Sequence, residues 1–247
     1  MARRGKYANP PVIEALCELH FHDGTWDETV PGRFYDRLAP LGFDVKESIE
    51  IHEANLSVDA PGGPSATMHK RERMRFTNPE RSRLVQAEPR LVVLNQLRPY
   101  PQFETWCPLV VQVGEIYAGL TGGEAVARVG MRYINQIDLP GSRVALEEWF
   151  EVAPKLPASW KDEVGSFLVR AERSVTNRLG VVLTLASTQG PPNMSSFVLD
   201  VYAVNTLAPP VGVSAIQSVL EEVHGGIEAA FEGSITQALR DRFGAVT

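Results

Sequence analysis

Between residues 12 and 22 the chain alternates with a period of two. Ile13, Ala15, Cys17, Leu19 and Phe21 fall on one side, and Glu14, Glu18, His20 and His22 on the other. Successive side chains of an extended chain point to opposite faces, so this segment reads as a strand with one buried face. The pattern returns at 125–139, where Ala125, Ala127, Val129, Met131, Tyr133, Ile137 and Leu139 oppose Arg128, Arg132, Gln136 and Asp138. Strands of this kind belong to mostly antiparallel sheets that are covered on one side.

The segments between these two strands repeat in kind. A short helix fits 31–41, with Phe34, Leu38 and Leu41 on one side and Gly42 as its stop. Three extended stretches follow, near 43–58, 67–77 and 82–97, separated by Asp59-Ala60-Pro61-Gly62-Gly63-Pro64 and by Thr77-Asn78-Pro79-Glu80. Phe103, Trp106, Val110, Val113, Tyr117 and Leu120 then recur at helical spacing up to Thr121-Gly122-Gly123. Pro108 inside that pattern predicts a kink or a later start. After 125–139, a short helix fits 144–152 and extended stretches fit 164–175, 179–188 and 196–206. A long amphipathic helix from Val213 to Phe243 closes the order, with a bend expected at Gly225-Gly226.

Each half therefore reads strand, helix, three strands, helix. The fold class is α+β: duplicated halves, 1–123 and 124–247, with mostly antiparallel sheet and helices packed on one face. Two such halves pair about a pseudo-twofold axis, with a groove between them. The alternative is a single irregular α+β domain whose repeat is a coincidence of turn spacing, because element order repeats and residue identities do not.

Composition bounds the function. The chain has 247 residues, 44% of them apolar and 22% charged, with a net charge of -6. This describes a folded protein of one large or two smaller units. Its apolar runs, such as Leu91-Val92-Val93-Leu94, are too short to span a bilayer, and no membrane association is expected. Arg3, Arg4 and Lys6 open the chain, but Asn9-Pro10-Pro11, Glu14 and Glu18 interrupt what a signal-peptide core requires. Cys17 and Cys107 alone supply no disulfide or zinc framework and fit a reducing cytoplasm.

The densest charge signal lies at 69–98. Eight basic residues, among them Arg71, Arg73, Arg75 and Arg83, stand against Glu72, Glu80 and Glu88, a net +5. Arg71, Arg73 and Arg75 share one face of a strand, and Arg83 returns after the turn. Adjacent guanidiniums repel, so the ladder points to an anionic ligand or an acidic partner protein. The competing reading is a solvated edge hairpin whose charges discourage sheet aggregation. Nucleic acid is the less favoured partner. The rest of the chain carries -11, and Phe76 is the lone aromatic beside the arginines.

Glu14 and Arg132 occupy the polar faces of the two equivalent strands. If the halves pair through those strands, the two residues meet as an ion pair, either a structural bridge or part of a ligand site. Glu18, His20 and His22 share one face and form the candidate metal set of an alternative, a metal-assisted enzyme. No spacing elsewhere completes that set. No Gly-x-Ser-x-Gly or phosphate loop is present, and Cys17 falls on the apolar face. No catalytic residue is assigned and no cofactor is expected. The reading is a binding or adaptor module acting through the arginine hairpin and the groove between halves.

Three stretches carry a resemblance: Tyr7-Ala8-Asn9-Pro10-Pro11-Val12-Ile13-Glu14-Ala15; Arg132-Tyr133-Ile134-Asn135-Gln136-Ile137; and the spacing His224, Phe231, Ile235-Thr236, Leu239, Phe243-Gly244. Together, over essentially the whole chain, they resemble a sporadically distributed bacterial protein family of unknown function. The resemblance implies a cytoplasmic bacterial or phage protein with the patchy distribution of mobile genes. It implies no activity for any residue here.

Overall fold

The computed structural model describes residues 6–57, 65–155, 157 and 166–246. In chain order the strands and helices are β1 (Lys6–Tyr7), β2 (Val12–Phe21), α1 (Val30–Leu38), β3 (Val45–Ser57), β4 (Ser65–Thr77), β5 (Arg83–Glu88), β6 (Leu91–Leu97), α2 (Phe103–Thr121) and β7 (Ala125–Pro140). Then come β8 (Leu168–Ser174), β9 (Leu179–Thr188), β10 (Met194–Gly212), α3 (Gln217–Ser234), α4 (Gln237–Phe243) and β11 (Ala245–Val246). Nine strands form one antiparallel sheet in the order β3-β4-β5-β6-β2-β7-β10-β9-β8, with β2 and β7 paired at its middle. The short β1 and β11 pair with each other and tie the two ends of the described chain together. The fold is α+β, and no helix among the described residues is long and apolar enough to cross a membrane.

The four α-helices of the described residues all cover the same face of the sheet. Ala15, Cys17, Leu19 and Phe21 of β2, all at most 4% exposed, share a core with Trp106, Val110, Val113 and Tyr117 of α2 and with Leu220, Val223 and Ile227 of α3. Burying each large apolar side chain contributes about 1.5–3 kcal/mol, which is what turns the two-residue alternation into a fixed register. The approach of α2 is close: a Cβ on Gly114 would lie 2.7 Å from Leu19 Cδ1. On the same face, Ile137, Leu139, Phe197 and Leu199 pack with Phe150, Ile235, Leu239 and Phe243 of the C-terminal region.

Four segments depart from the expectation. The stretch 82–97 is two strands, β5 and β6, joined at Pro89-Arg90, where Arg90 adopts a positive φ of 60°. The helix expected at 144–152 is a single 3-10 turn at Leu146–Glu148. The terminal helix runs through Gly225-Gly226 and breaks at Ile235-Thr236 instead. Finally, of the two outcomes expected from Pro108 the later start does not occur: α2 begins at Phe103, five residues ahead of the proline. The turn-rich 59–64 and the start of 164–175 lie outside the described residues.

Candidate functional site

The other face of the sheet carries most of the polar side chains and is exposed towards its margins, while Val93, Asn95 and Glu88 near its middle are 3%, 5% and 7% exposed. One row of direct cross-strand neighbours crosses it from edge to edge: Glu47, Arg75, Gln86, Val93, Glu18, Gly130, Val204, Gly180 and Ser174. The next row passes through Leu16, Arg132 and Tyr202. The residues that the sequence left on polar faces therefore gather here, on a surface about nine strands wide.

The arginine ladder is divided by this geometry. Arg73 makes a two-point pair with Glu88, Nε to Oε2 at 3.2 Å and Nη2 to Oε1 at 3.2 Å. Arg75 donates from Nε to Glu47 Oε1 at 2.9 Å. Arg71 pairs in backbone register with Ile51, and its side chain lies outside the described residues. Arg83 belongs to the opposite face, where its guanidinium carbon stands 5.3 Å from the centre of the Phe43 ring. Strand alternation separates it from Arg73 and Arg75, because β5 turns Arg83 and Val85 inward together.

Glu14 and Arg132 do not pair as expected. Arg132 donates from Nε and Nη2 to the two carboxylate oxygens of Asp200, at 2.8 and 2.5 Å. Glu14 accepts from Asn95 Nδ2 at 2.6 Å, and Asn95 in turn accepts from Gln86. β2 and β7 do pair, but Glu14 stands opposite Ile134 while Arg132 stands opposite Leu16. Arg132 thus finds its carboxylate on its other neighbour, β10. Around it lies a cavity of about 210 Å³ lined by Leu16, Glu18, Arg132, Arg170, Val182, Thr184, Asp200 and Tyr202. Asp200 and Tyr202 were legible as the polar side of the alternation in 196–206, a signal the reading by element order passed over.

The metal candidates separate as well. Glu18 and His20 face the same side, 3.4 Å apart, but Arg128 Nη2 stands 2.6 Å from His20 Nε2. That ring nitrogen already faces both the Glu18 carboxylate and the Arg128 guanidinium. His22 is exposed, and no group of three or more metal-ligating side chains occurs among the described residues. Burial raises the Glu18 carboxyl, yet His20, Arg128 and the Tyr202 hydroxyl outweigh it and hold the group below its ordinary range. Cys17 and Cys107 are both buried, and burial pushes both thiols up, Cys107 to about 11.

A second concavity, of about 100 Å³, opens on the helix face. The chain before β2, the start of α2, the middle of β7 and the second half of α3 enclose it. Tyr7, Tyr100, Phe103, Tyr133 and Phe231 supply its aromatic walls, and Glu104, Glu228 and Glu232 its carboxylates. Tyr100 and Tyr133 share a hydrogen bond of 2.5 Å, and the His224 ring lies flat on Phe103 at 3.9 Å. The segments 7–15, 132–137 and 224–244 meet at this pocket, which Tyr7, Pro10, Pro11, Tyr133, Asn135, His224 and Phe231 all line.

In comparisons with protein-family models, curated proteins and solved structures, no match to this chain was found.

Proposed function

We propose that the protein is a non-catalytic binding module that holds an acidic partner protein against the open face of its sheet. The observation that carries this reading is the cavity of about 210 Å³ around Arg132 and Arg170, set in the sheet face that has no helix on it among the described residues and that also carries Arg75 and Arg128, with Arg73 held more deeply against Glu88. Each of these guanidiniums lies beside a carboxylate of the chain itself. An acidic partner would exchange with those carboxylates, as in electrostatically matched interfaces, where charge sets specificity and association rate.

The chain is also proposed to consist of two related halves, 1–123 and 124–247. Moving outward from the central β2–β7 pair, one side reads β6, β5, β4, β3 and the other β10, β9, β8; the shared outward order supports a twofold arrangement, with β3 lacking a counterpart. The arginine face and the pocket among the helices lie on opposite sides of the sheet. The hairpin and the groove are therefore two sites and not one.

The test compares the tagged protein with an Arg75→Ala/Arg132→Ala/Arg170→Ala variant in affinity purification from the native lysate, with co-purifying protein and nucleic acid both quantified. The expected result is a stoichiometric acidic protein that the variant loses while keeping a cooperative melt. Retention of that protein by the variant, or recovery of nucleic acid in its place, overturns the reading.

A further inference from the structure

The β8 edge of the sheet carries a charge pattern of its own. β8 is the last strand of the sheet, and among the described residues it pairs with β9 alone. Ser187 N–H donates to the Phe167 carbonyl at 3.1 Å, and Val175 N–H to the Leu179 carbonyl at 2.8 Å, so the odd-numbered residues turn their peptide groups toward β9. Antiparallel pairing alternates along a strand. The N–H and C=O of Leu168, Arg170, Glu172 and Ser174 therefore point away from the sheet. Arg170 to Ser174 are all exposed. Leu168 and Val175, the two large apolar side chains that stand exposed among the described residues, flank them at 66% and 45%.

An exposed edge is a template for another strand, and charges commonly blunt it. On β8 the charges instead match a second copy of the same strand. Laid antiparallel on itself about Ala171, the segment sets Arg170 opposite Glu172 of the other copy and Glu172 opposite its Arg170. Leu168 meets Ser174, and the outward peptide groups of all four even-numbered residues find partners. On the helix side, the exposed Val175 lies across from the half-buried Phe167. Within one copy Arg170 and Glu172 already sit 2.7 Å apart, both more than half exposed, so the pairing closes a square of alternating sign. Other registers lose this match. A slide of two residues puts Arg170 across from Arg170, or Glu172 across from Glu172, and like charges directly opposite destabilise a sheet. A slide of one residue sets outward peptide groups against groups already engaged with β9.

We propose that two copies of this chain associate through β8, antiparallel about Ala171, so that their sheets continue into one. The twofold axis is normal to the sheet and keeps both arginine faces on the same side. A pair of seven-residue strands is small beside a standard interface, so the dimer is weak, with a Kd of about 10 µM or above. The association needs no acidic partner and does not rest on the binding reading. Ala171 and Glu172 line neither of the two cavities.

The test is sedimentation velocity of the purified protein alone, from about 1 µM to about 500 µM, where a reversible monomer–dimer equilibrium is expected. Glu172→Arg and Arg170→Glu should each weaken it at least about tenfold, because each sets like charges opposite one another twice. Mixed in equal amounts, the two variants should associate again, since every charge in the mixed dimer faces its opposite. Ala171→Cys checks the register. Opposite Cα atoms of a non-hydrogen-bonded pair are about 4.5 Å apart, within disulfide range, so this variant should link to itself under a mild chemical oxidant. Arg173→Cys, whose counterpart is displaced along the strand, should not link, and the buried Cys17 and Cys107 stay silent. Cooperative thermal melts establish that each variant is folded. The proposal is overturned by a monomer at every concentration, by charge variants that dimerise as well as the parent, by a mixture that stays monomeric, or by Arg173→Cys linking as fast as Ala171→Cys.

Discussion

Arg132 reaches diagonally across the β7–β10 pair to Asp200, which stands opposite Ile134, two residues along β7. Diagonal neighbours on a sheet are about 7–8 Å apart, a span an arginine covers and shorter side chains do not. The Asp200 side chain is 16% exposed against 44% for Arg132, so the carboxylate is the member stranded when the pair is broken. Solvent screens the exposed guanidinium and keeps the pair near the upper end of surface values, about 1 kcal/mol. Arg132→Ala is therefore expected to cost about 1–2 kcal/mol in urea unfolding. A double-mutant cycle with Asp200→Ala should recover a coupling of about 1 kcal/mol, and a coupling near zero would show that the two-point geometry does not persist in solution.

Gly130 lies beneath the same cluster. A Cβ there would stand 2.7 Å from Tyr202 Oη and 2.9 Å from Glu18 Oε2. Both obstacles are the ends of side chains, so they can move, but moving them breaks the 3.3 Å contact between Tyr202 and Glu18. Gly130→Ala should destabilise by about 1–2 kcal/mol, as overpacking does. In a Tyr202→Ala background the cost should shrink, since the nearest obstacle is gone. Equal costs in both backgrounds would place the effect in the backbone.

The alternations of β2 and β7 were legible because one face of each is buried by helices, and a two-residue period has no other simple reading. The hairpin between β5 and β6 was hidden because Arg90, not glycine or asparagine, takes the left-handed turn position. Two further misreadings share one cause. Glu151 N–H donates to the Ser234 carbonyl at 2.9 Å and Thr236 N–H to the Trp149 carbonyl at 3.0 Å, around a bridge between Phe150 and Ile235. This exchange takes the Glu151 N–H that a helix at 144–152 would have paired internally, and gives the Trp149 carbonyl, which that helix would leave unpaired at its end, a partner. It also draws Ile235 into an extended conformation, and so ends α3 there and not at the glycines. Such a contact joins segments more than 80 residues apart, and no local period encodes it. The pocket on the helix face was invisible for the same reason, since Tyr7, Tyr133 and His224 meet only in the folded chain.

Glu18 gives the sheet a pH dependence of definite sign. Its carboxyl titrates below its ordinary range in the folded protein. The stabilisation is fully present above the unfolded value, about pH 4.3, and is lost as the pH falls through the folded value. Thermal melts of the protein and of Glu18→Gln should therefore differ most near neutrality, with the protein the more stable, and converge towards pH 3. A gap that widens in acid would mean that Glu18 is destabilised by burial and not held by His20, Arg128 and Tyr202.

The two thiols report on the packing of α2 against β2. Cys17 and Cys107 are each 1% exposed, and Cys107 Sγ contacts Gln217 Oε1 at 3.5 Å at the start of α3. Burial raises both thiols, Cys107 to about 11, so at pH 8 only roughly one Cys107 in a thousand is the reactive thiolate. Neither should react with a disulfide reagent over minutes under native conditions, and both should react at once in denaturant. In intermediate urea their rates should rise together, because the two side chains share one core and one opening event exposes both. If Cys107 alone reacts at the rate of a free thiol, α2 opens separately from the sheet. The aromatic wall that Phe103 contributes to the pocket would then be mobile as well.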